Sequence, residues 1–422
     1  MPKIGYANYV QSSGRDQALP FRIGTPVRLK RILQTRAIVV AVVVFIWKEQ
    51  QKLTASDAAF NDNFGNSVSI YGNTAIVGAR QNDDAGVNSG SAYIFTYDGS
   101  TWTETAKLTA FDAAAGDQFG YSVSIYDNTA IVGAPFDYGA RGSAYIFTTT
   151  DNWASTTQNK LTSLAPVAND RFGFSVSIYD NTAIIGVPYD DNRLGTAYVF
   201  TRSGTNWVLK SIIIPNFRIG NSQFGYSVSI YKNTAIIGAN LFNSARGAAY
   251  VYTTTNNWAS RTEKARITAS DAAAGDQFGY SVNIYDNTAI VGTPFDDDAG
   301  SASGAAYVYT TTDNWASRTE KKLTASDASG NDNFGKSVSI YDNTAIVGAI
   351  YDDNRPGAAY VFTRSGTNWT QQQKLTASDA AANDEFGTSV GIYGDSAIIG
   401  ARFDDDAGSN SGSAYVFNYT SQ

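Results

Sequence analysis

Aspartate is the residue through which this chain would do most of its chemistry. Asp and Glu together number 38 against 31 Lys and Arg, and the 422 residues include neither histidine nor cysteine. Without cysteine there are no disulfides, thiolate metal sites or thiol nucleophiles. Without histidine the usual general base of hydrolases and the commonest transition-metal ligand are missing. Catalysis would therefore have to run on carboxylates, Tyr, Lys or Arg. Three segments space their oxygens at alternate positions around a glycine: Asp404-X-Asp406-X-Gly408-X-Asn410, Asn82-X-Asp84-X-Gly86-X-Asn88, and Asp296-X-Asp298-X-Gly300. Alternate spacing lets successive side chains curl round one hard cation, so calcium is the expected metal. No bidentate acid follows at the twelfth position, and the same residues also suit turns and solvation. Both readings stand at this point.

The charge is unevenly placed. Residues 1–47 carry Lys3, Arg15, Arg22, Arg28, Lys30, Arg31 and Arg36 against Asp16 alone, so the net charge of −7 belongs to an acidic body. Such a body lacks the basic stripes that displace counterions from nucleic acid, and no nucleic-acid partner is expected. Ala37 to Trp47 is an apolar run of 11 residues. A bilayer span needs about 20, so no membrane helix is expected. The run reads as a buried or edge β segment, or else as a secretion signal or anchor, and residues 1–36 as a basic leader of unclear structure.

These side chains are positioned by a repeat. Phe-Gly recurs at Phe64, Phe119, Phe172, Phe224, Phe278, Phe334 and Phe386. Each copy continues through Ser-Val and Ile-Tyr, a short Asn/Asp turn, Ala-Ile-Val/Ile-Gly, a glycine-containing loop, an aromatic strand, and a strand opened by Trp. Four short strands rich in β-branched and aromatic residues, bounded by Gly, Asn and Asp, predict a blade. Seven such units predict an all-β, seven-bladed propeller of four-stranded antiparallel blades over 37–422. The seventh unit ends at Tyr415-Val416-Phe417 without its Trp strand. Trp47–Ser56 (WKEQQKLTAS) matches Trp369–Ser378 (WTQQQKLTAS) and supplies it. Residues 47–55 are thus predicted to form the outer strand of the last blade and close the ring.

The order Phe-Gly, Gly-Ala-Pro, Gly-X-X-Tyr-Val-Phe resembles the FG-GAP repeat, the unit of the seven-bladed head of integrin α chains. Only Gly133-Ala134-Pro135 completes the middle element here. The resemblance implies a binding or adhesion module, extracellular or at the cell surface. Integrin-type repeats carry calcium between their first and second strands. Here that connection is a turn such as Tyr126-Asp127-Asn128-Thr129, too short to wrap a cation, and no family calcium site transfers.

In a propeller, the second-to-third loops and the inter-blade loops open on one face. Most aspartates fall there, among them Asp190, Asp191, Asp297, Asp352, Asp353 and Asp405, with few arginines to answer them. Clustered like charge focuses the local potential. The expectation is a monomeric, non-enzymatic module presenting an acidic loop face to a protein or carbohydrate ligand. The alternatives are a carboxylate-based glycan hydrolase or lyase at the central channel, and a structural spacer. The aspartate two places before Phe-Gly, as in Asp62, Asp117 and Asp384, is expected to tie its loop to backbone N–H groups.

Overall fold

The computed structural model describes residues 45–217 and 219–421. The basic leader over 1–36 and the first part of the apolar run lie outside them. Seven four-stranded antiparallel sheets are formed, six of them from consecutive strands. In blade 1 these are Phe64–Tyr71, Thr74–Ala79, Ser91–Tyr97 and Trp102–Leu108, running from the channel to the perimeter.

The seventh sheet takes Phe386–Tyr393, Ser396–Ala401 and Ser413–Ser421 from one end of the chain and Phe45–Leu53 from the other. Trp47 pairs with Tyr419 and Leu53 with Ala414, and both Trp47 and Leu53 are buried. The outer strand is therefore the predicted one, set two residues earlier than expected, with Phe45 and Ile46 extending it.

The core lies between blades. A single apolar cluster joins Leu53, Ile398 and Val416 of blade 7 to Phe64, Val77 and Tyr93 of blade 1. Equivalent clusters lie at the other junctions. The Phe-Gly pair explains why the repeat needs those two residues. Phe64 is wholly buried, edge-on to Tyr93 and Phe95 at 5.5 and 6.0 Å. Gly65, at φ +86°, lies so close to blade 7 that a Cβ would come 2.2 Å from the Ser413 carbonyl oxygen. Only glycine lets the two backbones meet at that distance.

Ser69, Ser124, Ser177, Asn283 and Ser339 line a channel of about 200 Å³, and Ser229 holds the equivalent position of blade 4. Each accepts a hydrogen bond from a backbone N–H of the next blade, as Ser69 does from Ile125 at 3.2 Å. No titratable side chain lines this cavity among the described residues. At its turn-side mouth seven tyrosines, from Tyr71 round to Tyr393, form a closed ring with neighbouring centroids 4.5–4.8 Å apart.

Candidate functional site on the loop face

The aspartates of the loop face are gathered blade by blade, each group round a lysine from the outer strand. The lysine lies opposite the tyrosine of the third strand: Lys52 opposite Tyr415, Lys107 opposite Tyr93, Lys160 opposite Tyr145, Lys322 opposite Tyr307, Lys374 opposite Tyr360. Lys322 Nζ donates to Asp271, Asp296 and Asp298 at 2.9, 2.8 and 2.5 Å. Lys52 Nζ reaches Asp379 at 2.7 Å, Asp404 at 3.0 Å, and Asp406. Lys374 binds Asp327, Asp352 and Asp353 at 2.9, 2.6 and 2.6 Å. Lys160 binds Asp112 and Asp137, and Lys107 binds Asp57 and Asp84.

The tyrosine hydroxyl completes each group. That of Tyr415 donates to Asp379 at 2.7 Å and Asp404 at 2.8 Å. Burial and these carboxylates push the phenol far above its ordinary pKa. Burial pulls the Lys52 ammonium down, but the hydrogen bonds to Asp379, Asp406 and Asp404 outweigh it and raise its pKa. Burial lifts the Asp379 carboxyl, yet Lys52 and Tyr415 bring it below the usual carboxylate range.

Two blades lack the lysine, and each changes its partners to suit. In blade 3 Ile212 stands opposite Tyr198, whose hydroxyl meets Ser163 at 2.9 Å, while Thr196 donates to Asp190 at 2.5 Å. In blade 4 Arg266 stands opposite Tyr250, and two phenylalanines occupy the loop positions held elsewhere by acids. The guanidinium lies 5.3 Å from the Phe217 ring and 5.1 Å from Phe242. In blade 4 cation and anions change together, as members of one electrostatic unit would, whereas blade 3 keeps Asp190 and answers it with a hydroxyl.

The structure thus brings Asp404 with Asp406, and Asp296 with Asp298, and adds Asp379 and Asp271, which the loop spacing alone did not single out. The carboxylate oxygens of each trio lie within 4.8 Å of one another, close enough to hold an ion. Asn410 points elsewhere, donating to Asn61 at 2.9 Å. Asn82 donates to Asp62 and Tyr93, Asp84 joins Lys107, and Asn88 accepts from Gln81. Asp352 and Asp353 belong to the Lys374 group and Asp190 to Thr196, whereas Asp83, Asp297 and Asp405 are exposed. Sequence reading credited the answering charge to a few arginines; the answer comes from lysines. The available signal was the Lys of the recurring Lys-Leu-Thr-Ala-Ser, whose register opposite the tyrosine depends on strand pairing.

A second set of aspartates ties the loops. Asp62, Asp117, Asp170, Asp276, Asp332 and Asp384 each accept the backbone N–H three residues back, at 2.6–2.9 Å. Burial raises all six above the usual range, Asp384 to about 6 with help from Asp404 and Asp405. A cavity of about 660 Å³ opens between blades 5 and 6 and is lined by Asp327, Asp332, Asp352, Tyr351 and Arg355.

Comparison with known proteins agrees with this geometry. A family model described as FG-GAP repeat matches residues 47–95, 102–147, 155–200, 207–252, 261–309, 318–362 and 369–417. Each match begins on an outer strand and runs through the first three strands of the next blade, so the sequence unit straddles two blades. No curated protein matches the chain. Among solved structures, Sqt1 of Saccharomyces cerevisiae is similar over 88% of this chain and 100% of its own, with a TM-score of 0.51 and 10% identity. That likeness is one of fold. With seven registered matches over most of its length, the chain belongs to the FG-GAP repeat family.

Proposed function

We propose that the chain is a non-catalytic binding module, working outside the cell or at its surface, that offers its loop face to a basic protein segment or a glycan. The observation carrying this reading is the set of carboxylates at Asp83, Asp297 and Asp405. They stand exposed outside the lysine groups, on the face where a polar cavity large enough for a side chain or a sugar ring opens between blades 5 and 6. The catalytic alternative has less support. A lowered and a raised carboxyl do occur together, as in Asp379 and Asp384, but the same pair recurs as Asp57 with Asp62, Asp112 with Asp117, Asp271 with Asp276 and Asp327 with Asp332. Acid–base chemistry needs one pair set apart from the rest, whereas a pair repeated in five blades serves the blade.

The test is a screen of basic peptides and glycans against the wild type and the Asp83→Asn/Asp297→Asn/Asp405→Asn variant. Binding should weaken in the variant and with rising salt, since screening shortens to about 8 Å at physiological ionic strength. Equal binding by both proteins would remove the acidic rim from the reading.

Calcium is the second reading, favoured by the convergent trios Asp379/Asp404/Asp406 and Asp271/Asp296/Asp298. The donor set fits poorly. A lysine ammonium already receives all three carboxylates of each trio, and a divalent ion would have to displace it. Chelator should leave the wild-type melting temperature unchanged.

A further inference from the structure

The seven copies resemble one another least at the mouth of the central channel on the loop face. The second residue after the glycine that ends each second strand is proline in blades 2, 3 and 5, but arginine in blades 1 and 7, as Arg80 and Arg402. The residue after Phe-Gly is aromatic in four consecutive blades, Tyr121, Phe174, Tyr226 and Tyr280, with successive ring centroids 5.0–5.1 Å apart, and lysine in blade 6, as Lys336. A residue present in every copy serves the repeat. Residues that differ round the ring are free to serve something else.

The charges at this mouth are positive and incompletely answered. Arg402 is held by Glu385 at 2.6 Å. Lys336 donates to the Tyr280 hydroxyl at 2.5 Å and lies 4.4 Å from its ring centroid, with no carboxylate bound among the described residues. Arg80 lies 5.4 Å from the centroid of the Tyr121 ring; its Nε is buried and bonded to nothing, and no carboxylate pairs with it among the described residues. Burial, with Arg402 nearby, holds its guanidinium below the ordinary arginine range against the opposite pull of Tyr121 and Glu385. Round the ring, at the equivalent position of blade 4, Asn240 is 2% exposed and leaves its Oδ1 without a donor while its amide nitrogen meets Gln277 at 3.0 Å. Elsewhere on this face carboxylates surround the outer-strand lysines, yet among the described residues none bonds Arg80 or Lys336; the nearby Glu385 is held by Arg402. A partly buried cation without a partner is destabilising, and blades with proline at this position show that the fold does not require it.

We propose that this mouth binds an oxyanion, whether carboxylate, sulfate or phosphate, carried at the end of a ligand. The planar fork of Arg80 takes two of its oxygens, and Lys336 supplies the second cation. The aromatic wall from Tyr121 to Tyr280 stacks on the body that carries the charge. The site lies inside the acidic rim and opposes it in sign, so it goes beyond the proposed rim function and stands or falls separately.

The experiment uses the full chain with sodium sulfate, sodium phosphate and sodium glucuronate, each compared with chloride at equal ionic strength by calorimetry and thermal melting. At least one of them should bind and raise the melting temperature. Arg80→Gln and Lys336→Gln should each weaken that binding by about tenfold or more. Lys321→Gln, on the exposed outer strand, should retain it, as should the Asp83/Asp297/Asp405 variant. Binding of sulfate or phosphate identifies a bare oxyanion as sufficient, and binding of glucuronate alone identifies a sugar acid. Without anion, Arg80→Gln should melt no lower than the wild type. Two results would overturn the proposal: none of the three anions binding the wild type better than Arg80→Gln, or Arg80→Gln melting well below the wild type in chloride.

Discussion

At Lys322 three carboxylates and one ammonium meet beneath a tyrosine, with Asp296 almost wholly buried and Asp298 largely exposed. Removing the cation leaves Asp296 and Asp271 facing each other with only the Tyr307 hydroxyl between them. Lys322→Met should cost about 3 kcal/mol, read from denaturant unfolding, because an uncompensated buried charge costs more than the pair contributed. Importing the blade 4 solution whole, as Asp271→Phe, Asp296→Phe and Lys322→Arg, should recover most of that loss. A triple variant no better than the sum of its parts would refute the idea of one electrostatic unit. The vacated trio should also respond to calcium at about 10⁻³ M, where the wild type does not.

Asp384 sets a pH dependence of its own. Its folded pKa of about 6 lies above the ordinary carboxyl value, so the folded protein holds the proton more tightly. Its contribution is fully present below about pH 4 and is lost as pH rises through 6. Asp57, Asp112, Asp271, Asp327 and Asp379 run the opposite way, giving stability above the unfolded carboxyl pKa that is lost as pH falls through their lowered values. Asp384→Asn should therefore gain stability relative to wild type between pH 4 and pH 7. A difference that stays flat across that window would show that the carboxyl is not held protonated.

At the scale of the strand, one junction differs from the rest. Six innermost strands offer a side-chain oxygen to a backbone N–H of the next blade, but blade 7 has Gly391, and no such bond reaches Ile70. A Cβ there would come 3.2 Å from Ile398 Cγ2, a contact the isoleucine relieves by a small shift. Gly391→Ser should stabilise the ring by about 1 kcal/mol, from one added hydrogen bond and a stiffer unfolded chain. Gly391→Ala separates the two causes, because it keeps the stiffening and lacks the bond. The strands themselves were legible in the chain, since alternation and Asn/Asp turns act over a few residues. Asp127, Asp180, Asp286 and Asp342 indeed open their turns at φ 49–52°. The two-residue extension of the closing strand was not legible, because Phe45 and Ile46 join it only by pairing with Ser421 and Thr420.

For the whole molecule, closure is the decisive event. Phe45 pairs directly with Ser421, so the two chain segments meet where every other blade has a hairpin. A permuted chain running from Ser56 to Ser421, through an Asn-Gly turn, and then from Phe45 to Ala55 should fold and melt like the wild type. Deleting the segment through Ala55 without replacing it should lower stability by about 4 kcal/mol or more, since it removes the buried Trp47 and Leu53. Equal melting of the deletion and the permutant would mean that the outer strand is dispensable.

The sequence by itself determined the number of blades, the strand order and the closing segment, because a repeat written seven times states its own boundaries and the missing fourth strand of the last blade has a visible copy. It also located the loop-tying aspartates, whose partners lie three residues away. Only the tertiary structure decided what the acidic face is. Lys52 is 327 residues from Asp379 and 352 from Asp404 in the chain, and meets them because the ring closes. The lysine that neutralises each loop comes from a strand whose register no local pattern specifies. The unbonded Nε of Arg80 emerges in the same way, since a lone arginine in a line of sequence gives no sign of which acceptors will fail to reach it.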